Sequence, residues 1–117
     1  MLGSISGAKV YLALENTDMR KSINGLSIIV KSQFDLDPFS GHLFVFSNRR
    51  STIMKILYWD RNGFCLWQKR LEKEKFHWPK ATGGAMMIEE RELRWLMEGL
   101  EIEQKKAHKK LSYSIAY

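Results

Sequence analysis

Cysteine is almost absent from this chain of 117 residues. The single Cys65 can form no internal disulfide, and no C-x-x-C spacing offers metal ligands. Both facts fit a reducing compartment. Long apolar runs are missing too. None approaches the roughly 20 residues that cross a bilayer. Residues 1–7 lack the basic and apolar regions of a secretory signal. A cytoplasmic protein without a membrane partner is expected. Gly83-Gly84 is not followed by the Lys and Ser/Thr of a phosphate-binding loop. His42, His77 and His108 are scattered without ligand spacing. Asp18, Asp35, Asp37 and Asp60 fall where a helix cap, a helix end and a turn are expected, which are backbone roles for Asp. They do not form the carboxylate cluster of a metal-dependent nuclease. A thiol–imidazole pair of Cys65 with His42 or His77 is set against the position of Cys65 in an apolar strand, where a buried inert thiol is expected. The reading is a protein that is not an enzyme, with no cofactor and no small-molecule substrate.

What is present is an ordinary globular composition with a local excess of positive charge. Hydrophobic residues make up 44% and charged residues 27%, which supports one core and argues against a disordered chain. The formal net charge is +6. Residues 40–80 hold nine cations (Arg49, Arg50, Lys55, Arg61, Lys69, Arg70, Lys73, Lys75 and Lys80) against Asp60, Glu72 and Glu74, while the remaining charges balance. A basic surface of this kind favours a polyanion, usually nucleic acid; a solvated surface that only keeps the protein soluble is the plainer explanation.

The periodicities predict an α+β domain. Residues 9–14 read as a strand. Met19, Ile23, Leu26, Val30 and Phe34 form one helical stripe, predicting a helix over about 18–34, capped by Asp18 and stopped before Pro38. Gly25 within it points to a close packing partner. From residue 42 the period becomes two. Strands at 42–47, 53–59 and 64–71 form an antiparallel meander, with Asn62-Gly63 as the hairpin signal. A two-residue turn on Asn62-Gly63 sets Lys55 opposite Arg70, and a turn one residue longer sets it opposite Lys69. Residues 85–88 suggest a short strand, and Leu93, Leu96, Met97 and Leu100 an amphipathic helix from 89 to 100. Residues 1–104 are read as one domain and 105–117 as a basic, flexible tail. Trp59, Trp67, Trp78 and Tyr58 lie in or beside the basic segment. They offer stacking surfaces for bases, although core packing is the simpler role for residues in strands.

Several stretches taken together carry a resemblance. Thr17-Asp18-Met19-Arg20-Lys21 precedes Asn24-Gly25-Leu26. Then come Asp37-Pro38-Phe39-Ser40-Gly41-His42-Leu43-Phe44-Val45-Phe46 and Lys55-Ile56-Leu57-Tyr58-Trp59-Asp60. Gly63-Phe64-Cys65-Leu66-Trp67, Lys69-Arg70-Leu71-Glu72 and Phe76-His77-Trp78-Pro79 complete the series. Over residues 8–80 this order resembles the TnpB-type accessory protein, the second reading-frame product, of the insertion sequence 66 family. It differs in having Glu15-Asn16 before the first motif and Ser47-Asn48-Arg49-Arg50-Ser51 after Phe46, where the family carries more glycine. The resemblance implies a bacterial protein encoded beside a DDE-type transposase and assisting transposition. It brings no catalytic residues with it.

Two functions follow as expectations. In the first, the protein binds DNA through a basic hairpin surface, with Arg20, Lys21, Arg49, Arg50, Lys55, Arg61, Lys69, Arg70 and Lys73 as the candidate contacts. In the second, it is an adaptor that docks the transposase through the amphipathic helix and the aromatic hairpin, without touching DNA.

Overall fold

Among the described residues seven elements follow one another in the order β1 (Val10–Ala13), α1 (Ile23–Ser32), β2 (Leu43–Ser47), β3 (Ile53–Asp60), β4 (Gly63–Arg70), β5 (Ala85–Ile88) and α2 (Glu90–Met97). The structure is a computed structural model in which residues 7–102 are described. The basic tail read at 105–117, the end of the domain at 104 and most of the lead at 1–7 lie outside the described residues. The strands form one mixed sheet in the order β4-β3-β2-β1-β5. β1 and β2 are parallel, and every other neighbouring pair is antiparallel. A parallel pair requires a crossover connection, which α1 provides. The expected α+β class and the meander are therefore both present, with β1 added beside β2 and β5 closing the other edge.

Both faces of the sheet are covered. Val10, Leu12, Leu43, Val45, Met54 and Ile56 point to one face and pack with Phe76, Leu93, Leu96 and Ile102. Ala13, Phe44, Phe46 and Leu57 point to the other and pack with Leu26, Ile29 and Val30 of α1. A strand buried on both sides reads as a continuous apolar run. That is why all five residues of β2 are buried. The apolar stripe of α2 closes this core, with Leu93 at 1% and Leu96 at 0% exposure.

Three local expectations are corrected. The first helix starts at Ile23, not near Asp18, and its N-cap is Ser22. Asp18 instead holds a turn: its carboxylate accepts the Arg20 backbone N–H at 2.9 Å, and its own carbonyl accepts the Lys21 N–H at 3.1 Å. The helix also stops at Ser32, before the Pro38 signal, and Asp35 adopts φ +53° beyond it. The C-terminal helix ends at Met97, and Gly99 follows at φ +82°, a conformation suited to glycine past a helix end.

The hairpin register is the third. The β3–β4 turn lies on Arg61-Asn62, with Gly63 already paired to Asp60. Lys55 therefore faces Gln68, and neither Arg70 nor Lys69, so the expected cation–cation pairing does not occur. Arg61 takes φ +53° to make this turn. The packing partner anticipated at Gly25 is Lys21: a Cβ at Gly25 would stand 3.2 Å from its Cβ and Cγ.

Ser51 in the β2–β3 turn sits at φ +57°, left-handed backbone that favours glycine. This falls in the loop where the resembling family carries more glycine. Ser51→Gly is expected to raise the unfolding free energy by about 0.5–1 kcal/mol, read from the denaturation midpoint at constant slope.

Candidate nucleic-acid interface

Topology gathers most of the candidate cations at one end of the sheet. β1 and β2 finish together because they are parallel, and β3 starts and β4 finishes at that same end because the meander alternates. Three backbone hydrogen bonds stitch the loops there. Thr17 N–H donates to the Ser47 carbonyl (2.8 Å), Leu71 N–H to Thr52 (2.8 Å) and Phe76 N–H to Ser51 (2.7 Å). The loop after β1 presents Arg20 and Lys21, the β2–β3 turn presents Arg49 and Arg50, and the end of β4 and the loop beyond it present Arg70 and Lys73. All six are exposed. α1 begins at this end with no acidic residue in its first turn, so its dipole adds to the positive potential.

These six are not equally free. Arg20 holds Asp18 in a two-pronged pair, with Nη2 to Oδ2 at 2.7 Å and Nε to Oδ1 at 3.0 Å. The guanidinium hydrogen bonds, then the Arg20 backbone N–H, hold the Asp18 carboxyl down at about 2, and the same pair raises Arg20. Arg70 donates to Glu72 at 3.0 and 3.2 Å. Lys21, Arg49, Arg50 and Lys73 have no ion-pair partner among the described residues. Because the Asp18 carboxyl is lowered on folding, its contribution is complete above about pH 4 and is lost as the pH falls towards 2. Carboxyl chemical shifts should show this midpoint, and Arg20→Gln, which removes the guanidinium and keeps the backbone N–H, should move it part of the way back towards 3.8.

Three candidates lie elsewhere. Lys55 is only 7% exposed. Its ammonium donates to the carbonyls of Met19 and Lys21, both at 2.8 Å, inside the shell formed by the 17–22 loop. It is therefore corrected from a surface cation to an internal tie, because its strand position points under that loop. Lys69 is half-buried and donates to the Met97 carbonyl at 2.9 Å, satisfying an acceptor at the C-terminal end of α2, where a cation is favourable. Arg61 is exposed, but in the β3–β4 turn at the opposite end of the sheet.

The aromatic residues divide in the same way. Tyr58, Trp67 and Trp78 pack against the core, and Trp78 Nε1 donates to the Ala13 carbonyl at 2.7 Å. Cys65 is half-buried, not fully buried as expected, and lies opposite Tyr58 across the ladder. Burial, then a hydrogen bond with Cys65, raises the Tyr58 hydroxyl. Trp59 joins Phe39 and Phe64 in a cluster with ring centroids 5.0–5.2 Å apart. Phe39 there is 57% exposed. Sequence reasoning alone does not mark Phe39 as a surface group, although an aromatic placed directly after Pro38 is the available signal. Among the described residues, no group of three His, Cys, Asp or Glu is placed to hold a metal ion, and no helix is long and apolar enough to cross a membrane.

A family model described as "IS66 Orf2 like protein" matches residues 8–107, nearly all of the described chain and part of the tail. The chain belongs to this family. Membership implies an accessory role in the transposition of an insertion sequence, the role expected from its motifs. It is also similar to two proteins of Sinorhizobium fredii. The uncharacterized protein y4hO is 38% identical over 101 residues, covering 86% of this chain and 88% of the relative. The uncharacterized protein y4jC is 35% identical over 101 residues, covering 86% of each. No solved structure matches the chain.

Proposed function

We propose that this IS66 Orf2-like protein is a cytoplasmic, non-catalytic accessory factor that binds DNA through the end of its sheet where β1 and β2 finish. One observation carries the reading: cations from three separate loops, Arg20 and Lys21, Arg49 and Arg50, and Lys73, are exposed at the same end, with Arg70 at the rim. The basic patch read along the sequence as a hairpin is in this reading a surface built from three loops. Lys55 leaves the contact set, Lys69 serves the fold first, and Arg61 stands apart.

Contacts from lysine and arginine to phosphates bind by releasing counterions, largely without regard to base sequence. The test is a fluorescence-anisotropy titration of duplexes carrying the element's ends, and of scrambled duplexes, at two salt concentrations. The expected outcome is binding to both that weakens steeply with salt. Binding that is absent at low salt, or unchanged between the two salts, would sink the proposal.

The second reading, an adaptor for the element's transposase, loses one of its two supports because the apolar stripe of α2 is spent on the core. It keeps the exposed Phe39 beside Trp59 and Phe64. Co-purification with the transposase, and its loss on Phe39→Ser, would favour it.

A further inference from the structure

We infer that the free edge of β4 is a dimerisation surface that pairs antiparallel with β4 of a second copy of this chain. Among the described residues β4 is the last strand of the sheet, eight residues long, or about 27 Å. Its pairing to β3 runs from Gly63 to Arg70 without a bulge. Edge strands that stay unpaired are usually shortened, bulged or guarded by proline or inward charge. β4 has no proline and no bulge, its one inward cation, Lys69, is engaged by the Met97 carbonyl, and its Phe64, Cys65, Leu66 and Trp67 are only half-buried.

The backbone pattern selects the partner. Leu71 donates to Thr52, so in this register the N–H and C=O groups of Leu71, Lys69, Trp67 and Cys65 face β3. Those of Phe64, Leu66, Gln68 and Arg70 face outward. This row of four is symmetric about Trp67. A second copy related by a twofold axis at Trp67 pairs Phe64 with Arg70 and Leu66 with Gln68, twice over, which satisfies about eight backbone hydrogen bonds. A shift in either direction leaves part of the row unpaired.

Side chains and charge agree with that register. Phe64 and Leu66 lie on the α1 face, and by alternation so do Gln68 and Arg70. Arg70 of one copy then meets Phe64 of the other, in the Phe39–Trp59–Phe64 cluster, near the exposed Asp37 of the loop that carries Phe39. Aromatic faces and carboxylates both attract a guanidinium. The present Arg70–Glu72 pair is exposed on both sides and therefore holds Arg70 only weakly. On the opposite face the two Trp67 side chains become direct cross-strand neighbours, a favourable aromatic pair.

The test is sedimentation velocity of the full chain over a wide concentration range. The expected species has about twice the mass of the 13.7 kDa chain. Gln68→Pro removes an outward N–H and leaves the β3 ladder intact, so it should sediment as a folded monomer, with its fold checked by circular dichroism. In a Cys65→Ser background, Trp67→Cys should give a disulfide-linked dimer on oxidation. The two residues sit at a non-hydrogen-bonded pair with Cα atoms about 4.5 Å apart, within disulfide reach. If Trp67→Cys fails to fold, Gln68→Pro decides. A wild-type chain that stays monomeric at every concentration overturns the inference, including the case in which residues 103–117 occupy the edge. A dimer that Gln68→Pro leaves intact also overturns it. Charge reversal at Arg49 and Arg50 should leave the dimer unchanged, so a failure to bind DNA and a failure to dimerise are separate results.

Discussion

Replacing Arg49 and Arg50 together with Gln is expected to weaken DNA binding about 100-fold near 0.1 M salt and to flatten its salt dependence. Each phosphate contact contributes about 0.9 to the slope of log K against log salt on duplex DNA, which near 0.1 M is about tenfold in affinity. Two lost contacts should thus reduce the slope by about 2. The loss should be equal for element-end and scrambled duplexes, because phosphate contacts do not read bases. Both residues are exposed in a turn and have no ion-pair partner among the described residues, so unfolding should not confound the measurement. Arg61→Gln is the internal control. It removes one positive charge at the far end of the sheet, and affinity should change less than twofold. An equal loss at Arg61 and at either turn arginine would mean that only net charge matters and that no surface is involved.

Lys55→Met is expected to destabilise the fold by about 2–4 kcal/mol while leaving the DNA surface chemically intact. Methionine keeps most of the aliphatic stem and deletes the ammonium that two carbonyls share. Hydrogen bonds from a charged donor are worth about 1.5–3 kcal/mol each, and the stranded carbonyls lose their partner under a loop. Relief from burying a charge offsets part of this. For a domain of this size the shift in melting temperature is about 10–20 °C. Hydrogen exchange should also accelerate in the 17–22 loop, where Arg20 and Lys21 are mounted. A change below about 0.5 kcal/mol, the ordinary range for a surface substitution, would show that the ammonium does not tie this loop.

Lys55 also marks the boundary between what was legible in sequence and what was not. Its residue type, its basic neighbourhood and its place in a family motif all read as a surface cation. Its burial comes from alternation along β3, which turns it under the 17–22 loop; its cross-strand partner differs from expectation for a separate reason, the hairpin turn. Asn62-Gly63 is the stronger turn signal, yet the turn formed one residue earlier, on Arg61-Asn62, with Arg61 in left-handed backbone. A one-residue change of register alters every cross-strand partner. Asp18 misled for a related reason: it bonds to its own local backbone and to Arg20, as Asp does in turns, and so begins a turn where a helix cap was expected.

The sequence by itself determined the family, the α+β class, the three-stranded meander and the balance of charge, because motifs and period-two or period-3.6 patterns are local properties of the chain. It also determined that the C-terminal helix has one apolar side. Only the tertiary structure decided that this side is core, that β1 lies parallel to β2, and that Arg20, Lys21, Arg49, Arg50 and Lys73 share one end while Arg61 does not. The physical reason is that exposure and proximity depend on strand order and register. These are set by which faces can be buried together, over separations of tens of residues that no local pattern records.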